Sequence, residues 1–271
     1  MRVVLVTGAS SGIGKAIAEE LASKGYLVFG TSRKATFPES VSPGRVNLLP
    51  LDVTNDDSVS ACMRFVQQHS DGVDVLVNNS GYGLAGAIEE TSVEEARAQI
   101  DTNFLGMVRM TRAILPGMRK NGRGIIINVG SVAGQISIPF QAYYSASKAA
   151  VEAYSEALKL EVKPFGVNVF VLQPGDFHTG FTAGRVIAAE AQESSVYRPA
   201  MSNAISVMEK DEMEGADPRM IGAVVERTIR RPGKRMRIAV GPFYEKAALA
   251  AKRYLPESWF SFILRKYYHL D

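Results

Sequence analysis

Cysteine is nearly absent: the 271-residue chain holds one, Cys62. A disulfide framework within the chain is therefore excluded. Histidine is almost as scarce. His69, His178 and His269 lie far apart in sequence, so the clustered ligand pattern of a zinc site is missing and no metal is expected. No apolar run reaches the roughly 18 residues that a membrane-crossing helix needs. The start, Met1 to Gly8, lacks the apolar segment and small-residue cleavage site of a secretory leader, and it reads as a buried strand. A cytoplasmic location is the expectation. Net charge is only +3, too little to suggest a nucleic-acid partner.

What is present is an ordinary globular composition, 46% hydrophobic and 22% charged, which excludes long disorder and coiled-coil character. The length fits one α/β domain spanning residues 1–271. Short apolar runs rich in β-branched residues recur at Val3–Val6, Leu27–Gly30, Val46–Leu51, Val73–Asn78, Gly124–Val129, Val167–Gln173 and Met236–Val240. They are near-continuous rather than alternating, as in strands covered on both faces. Helical periodicity fills the gaps, at about Ile13–Lys24, Ser58–Gln68, Val93–Lys120, Ala142–Val162 and Pro218–Arg231. This rhythm predicts a doubly wound Rossmann domain of about seven parallel strands with helices on both faces. The stretch from Gly175 to Asp217 breaks it. A connection that long is usually functional, and residues 176–216 are read as a helical substrate lid.

The first strand runs into Thr7-Gly8-Ala9-Ser10-Ser11-Gly12-Ile13-Gly14 and then a helix. Glycines permit a tight bend and close backbone approach, and the helix N-terminus offers N–H groups to a pyrophosphate. The pattern, with further motifs downstream, resembles the short-chain dehydrogenase/reductase family. Asn78-Asn79-Ser80-Gly81 is similar to that family's Asn-Asn-Ala-Gly, with serine in place of alanine. Ser131 followed by Tyr144-Ser145-Ala146-Ser147-Lys148 is similar to its Ser…Tyr-x-x-x-Lys site. Pro174-Gly175, with Thr179 soon after, resembles its Pro-Gly motif. The likeness covers roughly residues 1–245. It implies an oxidoreductase transferring hydride between a nicotinamide and a carbonyl or alcohol. Cofactor contacts are implied at Gly8, Ser10, Ser11, Gly12, Ile13, Gly14, Asn79, Gly81, Tyr144, Lys148, Pro174, Gly175 and Thr179.

The second strand ends Thr31-Ser32-Arg33-Lys34, with no acid to accept from a ribose 2′-hydroxyl. Arg33 can instead clamp a 2′-phosphate, which favours NADP over NAD. Asp52 and Val53, by resemblance, lie against the adenine; Asp52 reads equally well as a cap for the helix starting near Asn55.

Tyr144 and Lys148, four apart on a helix, point the same way. An ammonium beside the phenol lowers its pKa towards that of a useful proton donor at neutral pH. Ser131 can donate to the carbonyl oxygen. By resemblance Lys148 also holds the nicotinamide ribose, and Asn103 links it to a relay water. A non-catalytic NADP(H)-sensing or scaffold protein on the same fold is the alternative, although such a protein usually loses the tyrosine or lysine. An isomerase or dehydratase relative shares the motif.

The insertion interleaves Phe177, Phe181, Ile187, Val196, Tyr197, Met201, Ile205, Val207 and Met208 with acids including Glu190, Glu193, Glu209, Asp211, Glu212 and Glu214. It reads as a lid over an apolar pocket, with Leu84 and Phe140 lining the same cleft. The surroundings of Ser131 and Tyr144 look similar to the 17β-hydroxysteroid and retinol dehydrogenase branch, which implies a bulky steroid-, retinoid- or lipid-like substrate. The long helices are implied to pair into a homodimer or homotetramer. Charge is uneven: from Arg230 to Asp271, ten Lys/Arg accompany three Asp/Glu. The extension at residues 242–271 reads as two short basic, aromatic helices broken at Pro256. They either dock peripherally on an anionic membrane or cap their own domain.

Overall fold

The computed structural model describes residues 1–192 and 195–270. Chain order is β1 (Val3–Val6), α1 (Gly12–Ser23), β2 (Leu27–Ser32), β3 (Val46–Pro50), α2 (Asp56–His69), β4 (Val75–Asn78), β5 (Leu84–Ala85), α3 (Val93–Ile100), α4 (Gly106–Lys120), β6 (Gly124–Val129) and α5 (Ala142–Val162). Then come β7 (Val167–Pro174), β8 (Val186–Ile187), α6 (Arg198–Met213), α7 (Arg219–Arg230), β9 (Arg237–Val240), α8 (Phe243–Tyr254) and α9 (Glu257–Tyr267).

Seven strands form one parallel sheet in the order β3-β2-β1-β4-β6-β7-β9. Strands β1, β4 and β6 are buried at every position, as their uninterrupted apolar runs require. One core, holding Phe29, Met110 and Ile126, covers one face of the sheet. A second, holding Ile17, Phe170 and Ile221, covers the other. The strand order reverses between β1 and β4, so the crevice at their carboxyl ends is where a ligand belongs in such a sheet.

Three local differences from the sequence reading bear on the site. The helix expected over Val93–Lys120 is broken by a π-helical turn at Asp101–Leu105, whose ladder slips by one residue around Asn103. The lid is tied to the body by a two-residue parallel pairing of β5 with β8. Inside the lid, Met201 and Ile187 pack with Leu84 and Phe140 in a small separate core. Leu84 and Phe140 therefore brace the lid and are not among the cleft-lining residues. Phe177 packs in the second sheet core while also bordering the cavity, and Val196 is 88% exposed. Glu193 and Asp271 lie outside the described residues.

Candidate active site

The glycine turn is shaped by close approach. Gly8 and Gly12 take positive φ, +66° and +53°. A Cβ on Gly14 would stand 2.2 Å from the Gly8 carbonyl oxygen, so only glycine lets α1 start this close to the turn. Ser11 makes no side-chain cap and the first turn of α1 holds no acid. Its N–H groups therefore remain available to an anion. Thr7 ties the turn to β4: its hydroxyl accepts from the Asn79 and Ser80 N–H groups at 2.8 and 3.0 Å. The Asn79 amide donates to the Thr7 and Gly8 carbonyls at 2.9 and 3.1 Å. A cradle that a Cβ would fill, at an uncapped helix N-terminus, fits a dinucleotide pyrophosphate.

Arg33 and Lys34 are exposed on the rim of the same cleft, past the end of β2. Asp52 accepts from the Thr54 N–H at 2.9 Å and the Thr54 hydroxyl at 2.7 Å, which holds its carboxyl below the usual range. The cap of α2 is Asn55, not Asp52.

Ser131, beyond the end of β6, opens a short 3₁₀ turn and accepts from the Ala133 N–H at 3.0 Å. Tyr144 and Lys148 project from the start of α5, and both are buried. The Lys148 ammonium donates to the Val129 carbonyl at 2.8 Å and lies 5.7 Å from the centre of the Tyr144 ring. Burial pushes the Lys148 amine down to about 8. Burial likewise pushes the Tyr144 phenol up to about 12, with a hydrogen bond to Ser131 working in the other direction. Desolvation thus dominates the phenol, and the lowering by Lys148 expected from the spacing is not among the leading causes. Asn103 sits in the π-helical turn. Its side chain exchanges bonds of 3.0 Å with the Tyr82 backbone and donates to the Ser147 hydroxyl at 3.2 Å. It reaches the α5 motif through Ser147, with no direct bond to Lys148. Tyr143, the neighbouring phenol, points elsewhere, towards the Ile88 carbonyl at 3.5 Å.

Gly8, Gly12, Arg33, Asp52, Asn79, Ser131, Tyr144 and Lys148 border one cavity of about 1190 Å³, whereas Gly14 and Asn103 lie behind its wall. It runs from the glycine turn and Arg33, past Ser131, Tyr144 and Lys148, to Phe181 and Met208 of the lid and Ala248, Phe260 and Leu264 of α8 and α9. Pro174, Gly175 and Thr179 border it as well, and a Cβ on Gly12 would meet Thr179 at 3.5 Å. The Phe181 ring lies 5.7 Å from that of Tyr144.

One group escaped the sequence reading. Glu245 reaches back from α8, is buried, and accepts from the Asp176 N–H at 2.7 Å. A Cβ on Gly175 or Gly241 would collide with its carboxylate, so the two glycines form the notch that receives it. Burial, then the neighbouring Glu245, pushes Asp176 up to about 8. The only signal in the sequence was a pair of glycines at the ends of adjacent strands. Cys62 is buried in the core, its thiol pushed up to about 12 by desolvation, as expected of a structural cysteine. The loop His178 contributes its backbone N–H to the Ala216 carbonyl at 3.1 Å.

A doubly wound parallel sheet with this cradle and a buried Tyr–Lys pair at its switch point defines an oxidoreductase of the nicotinamide-dependent kind. Residues 2–189 match the family model described as short chain dehydrogenase, and the chain belongs to that family. It is 42% identical over 267 residues to the 3-ketodihydrosphingosine reductase of Bacteroides thetaiotaomicron, covering 98% of each chain. It is 38% identical over 191 residues to human 17-beta-hydroxysteroid dehydrogenase type 1, covering 66% of this chain and 58% of that one. Among solved structures, a short-chain dehydrogenase from Streptomyces avermitilis superposes with a TM-score of 0.78 at 34% identity, over 93% of both chains. The protein is thus an NAD(P)-dependent oxidoreductase.

Proposed function

We propose that this protein is an NADP(H)-dependent oxidoreductase acting on a lipid-like ketone or its alcohol. The observation that carries the reading is the single cavity. It joins the pyrophosphate cradle to Ser131, Tyr144 and Lys148 and continues into an apolar chamber walled by the lid and the last two helices. Bound along the cradle, the nicotinamide cofactor supplies or accepts the hydride. Arg33 and Lys34, with no acid at the end of β2, suit a ribose 2′-phosphate. Ser131 holds the carbonyl oxygen by a hydrogen bond. Tyr144, neutral at physiological pH, gives its proton to the oxygen of the reduced substrate. Lys148 lies close enough to stabilise the phenolate that remains. Asn103 is a positioning residue that fixes the first turns of α5 through Ser147.

The chamber is not uniformly apolar. Asp176 and Glu212 border it, so its wall also offers carboxyl groups to a polar head group. An amphiphile with a long alkyl chain and an amino group beside its ketone suits both ends of such a space. The 3-ketodihydrosphingosine named for the Bacteroides thetaiotaomicron relative is of this kind. The test is NADPH consumption with 3-ketodihydrosphingosine and with a long-chain ketone lacking the amine. Wild type turns over, and Tyr144→Phe loses about 10²–10⁴ in rate while binding NADPH normally. Near-wild-type turnover by Tyr144→Phe refutes the assignment.

A further inference from the structure

Helices α8 and α9 have two different faces. Their inner faces, through Ala248, Ala251, Phe260 and Leu264, wall the cavity. Their outer surface leaves large apolar groups in water: Phe243 is 85% exposed, Trp259 68% and Phe262 59%. Tyr244, Ile263 and Tyr267 do both, bordering the cavity while about half exposed. They mark a rim where the chamber meets this apolar surface. Exposed aromatics this concentrated are unusual on a protein that meets only water.

The exposed charge on the two helices is predominantly positive. Lys246, Lys252, Arg253, Arg265 and Lys266 face solvent. Glu257 is the one exposed acid among the described residues of these helices, because Glu245 is turned inwards. Several cations lie directly on the aromatics. Lys252 is 5.9 Å from the Phe260 ring, Arg253 5.9 Å from Tyr254 and Lys266 5.8 Å from Phe262. Among the described residues no helix is long and apolar enough to cross a membrane. Two short helices with aromatic bodies and basic edges match the interface of a bilayer, with rings among the acyl chains and cations at anionic headgroups.

We propose that α8 and α9 form a docking surface for an anionic lipid bilayer and that the cavity opens onto it. An apolar substrate then passes from the bilayer, between the two helices, to Tyr144 without crossing water. The delivery half rests on the lipid-like substrate of the preceding section; the docking half does not.

Trp259 is the chain's sole tryptophan, so its emission reports on this surface alone. The full-length protein with NADPH is mixed with vesicles of phosphatidylcholine, alone or with phosphatidylglycerol. Docking predicts flotation with the anionic vesicles, a blue shift of Trp259 emission, and release at high salt. Lys252→Gln with Arg253→Gln weakens binding about 25-fold, at roughly fivefold for each charge. Phe243→Ser with Phe262→Ser abolishes the flotation. None of these four side chains borders the cavity, so turnover of a water-soluble ketone stays unchanged and shows that the variants are folded. Absence of flotation and of a spectral shift overturns the proposal, as does equal binding to neutral and anionic vesicles. Self-association that Phe262→Ser abolishes, without vesicle binding, overturns it in favour of a second copy of the chain. Docking without faster turnover of bilayer-borne than micellar ketone overturns the delivery half. Docking by an enzyme that reduces no lipid ketone leaves the surface assigned and refutes the substrate.

Discussion

Replacing Lys148 with methionine keeps most of the side-chain volume and removes its charge. The ammonium lies 5.7 Å from the Tyr144 ring centre. Two unit charges at that separation, with an effective dielectric of about 20, interact by about 3 kcal/mol. That energy favours proton loss from Tyr144 and corresponds to roughly 100-fold in rate. Buried Lys148 titrates near 8, below the ordinary lysine range. It is charged below that pH and neutral above it, so its advantage belongs to the neutral and acidic side. The assay is kcat/KM for NADPH from about pH 6 to 10, which reports groups of the free enzyme. A separately measured cofactor Kd removes the part due to binding. The expected ratio of wild type to Lys148→Met is about 100 at neutral pH. It falls to about 10 one unit above the lysine pKa, as the charged fraction drops to roughly a tenth. A ratio that is flat with pH, or below about fivefold at pH 7, refutes the electrostatic role.

Arg33→Ala should weaken NADPH by about 1.5–3 kcal/mol in a direct binding titration, the range for a hydrogen bond to a charged group, and leave NADH nearly unchanged. Arg237 donates to the buried Glu152 carboxylate at 2.8 Å while itself 44% exposed. Arg237→Leu should therefore cost about 2 kcal/mol and lower Tm by roughly 4–8 °C in a thermal melt. The long helices α4 and α5 are expected to pair across a two-fold axis, and a single monomeric boundary in sedimentation at micromolar concentration would exclude that assembly.

The sheet and the reactive side chains were legible because their signals are local. A buried parallel strand is a short apolar run, and β1, β4 and β6 need no partner to announce themselves. Tyr144 and Lys148 lie on one helix, four residues apart. What was hidden depends on distant pairing. The slip of the helix at Asn103 serves Tyr82, twenty-one residues back. Leu84 and Phe140 sit close to the motifs in sequence, yet the β5–β8 pairing draws them under the lid. The phenol of Tyr144 was misjudged because neighbouring charge can be read from spacing, whereas depth of burial cannot.

The match to the family model ends at residue 189, whereas Met208, Ala248, Phe260 and Leu264 complete the chamber beyond it. Reaction and selection thus occupy successive lengths of chain. The segment holding Ser131, Tyr144 and Lys148 lies inside the family match, and the segment that shapes the chamber's far wall lies beyond it, in a stretch that the Bacteroides thetaiotaomicron relative also covers. Glu245 is the hinge pin between them, inserted in the notch left by Gly175 and Gly241. A relative lacking either glycine has no seat for that carboxylate. Grafting the last seventy or so residues, which carry Gly241 and Glu245 with them, onto a relative lacking Gly175 would leave the new wall detached, whereas a recipient with that glycine would accept the new wall without altering its chemistry.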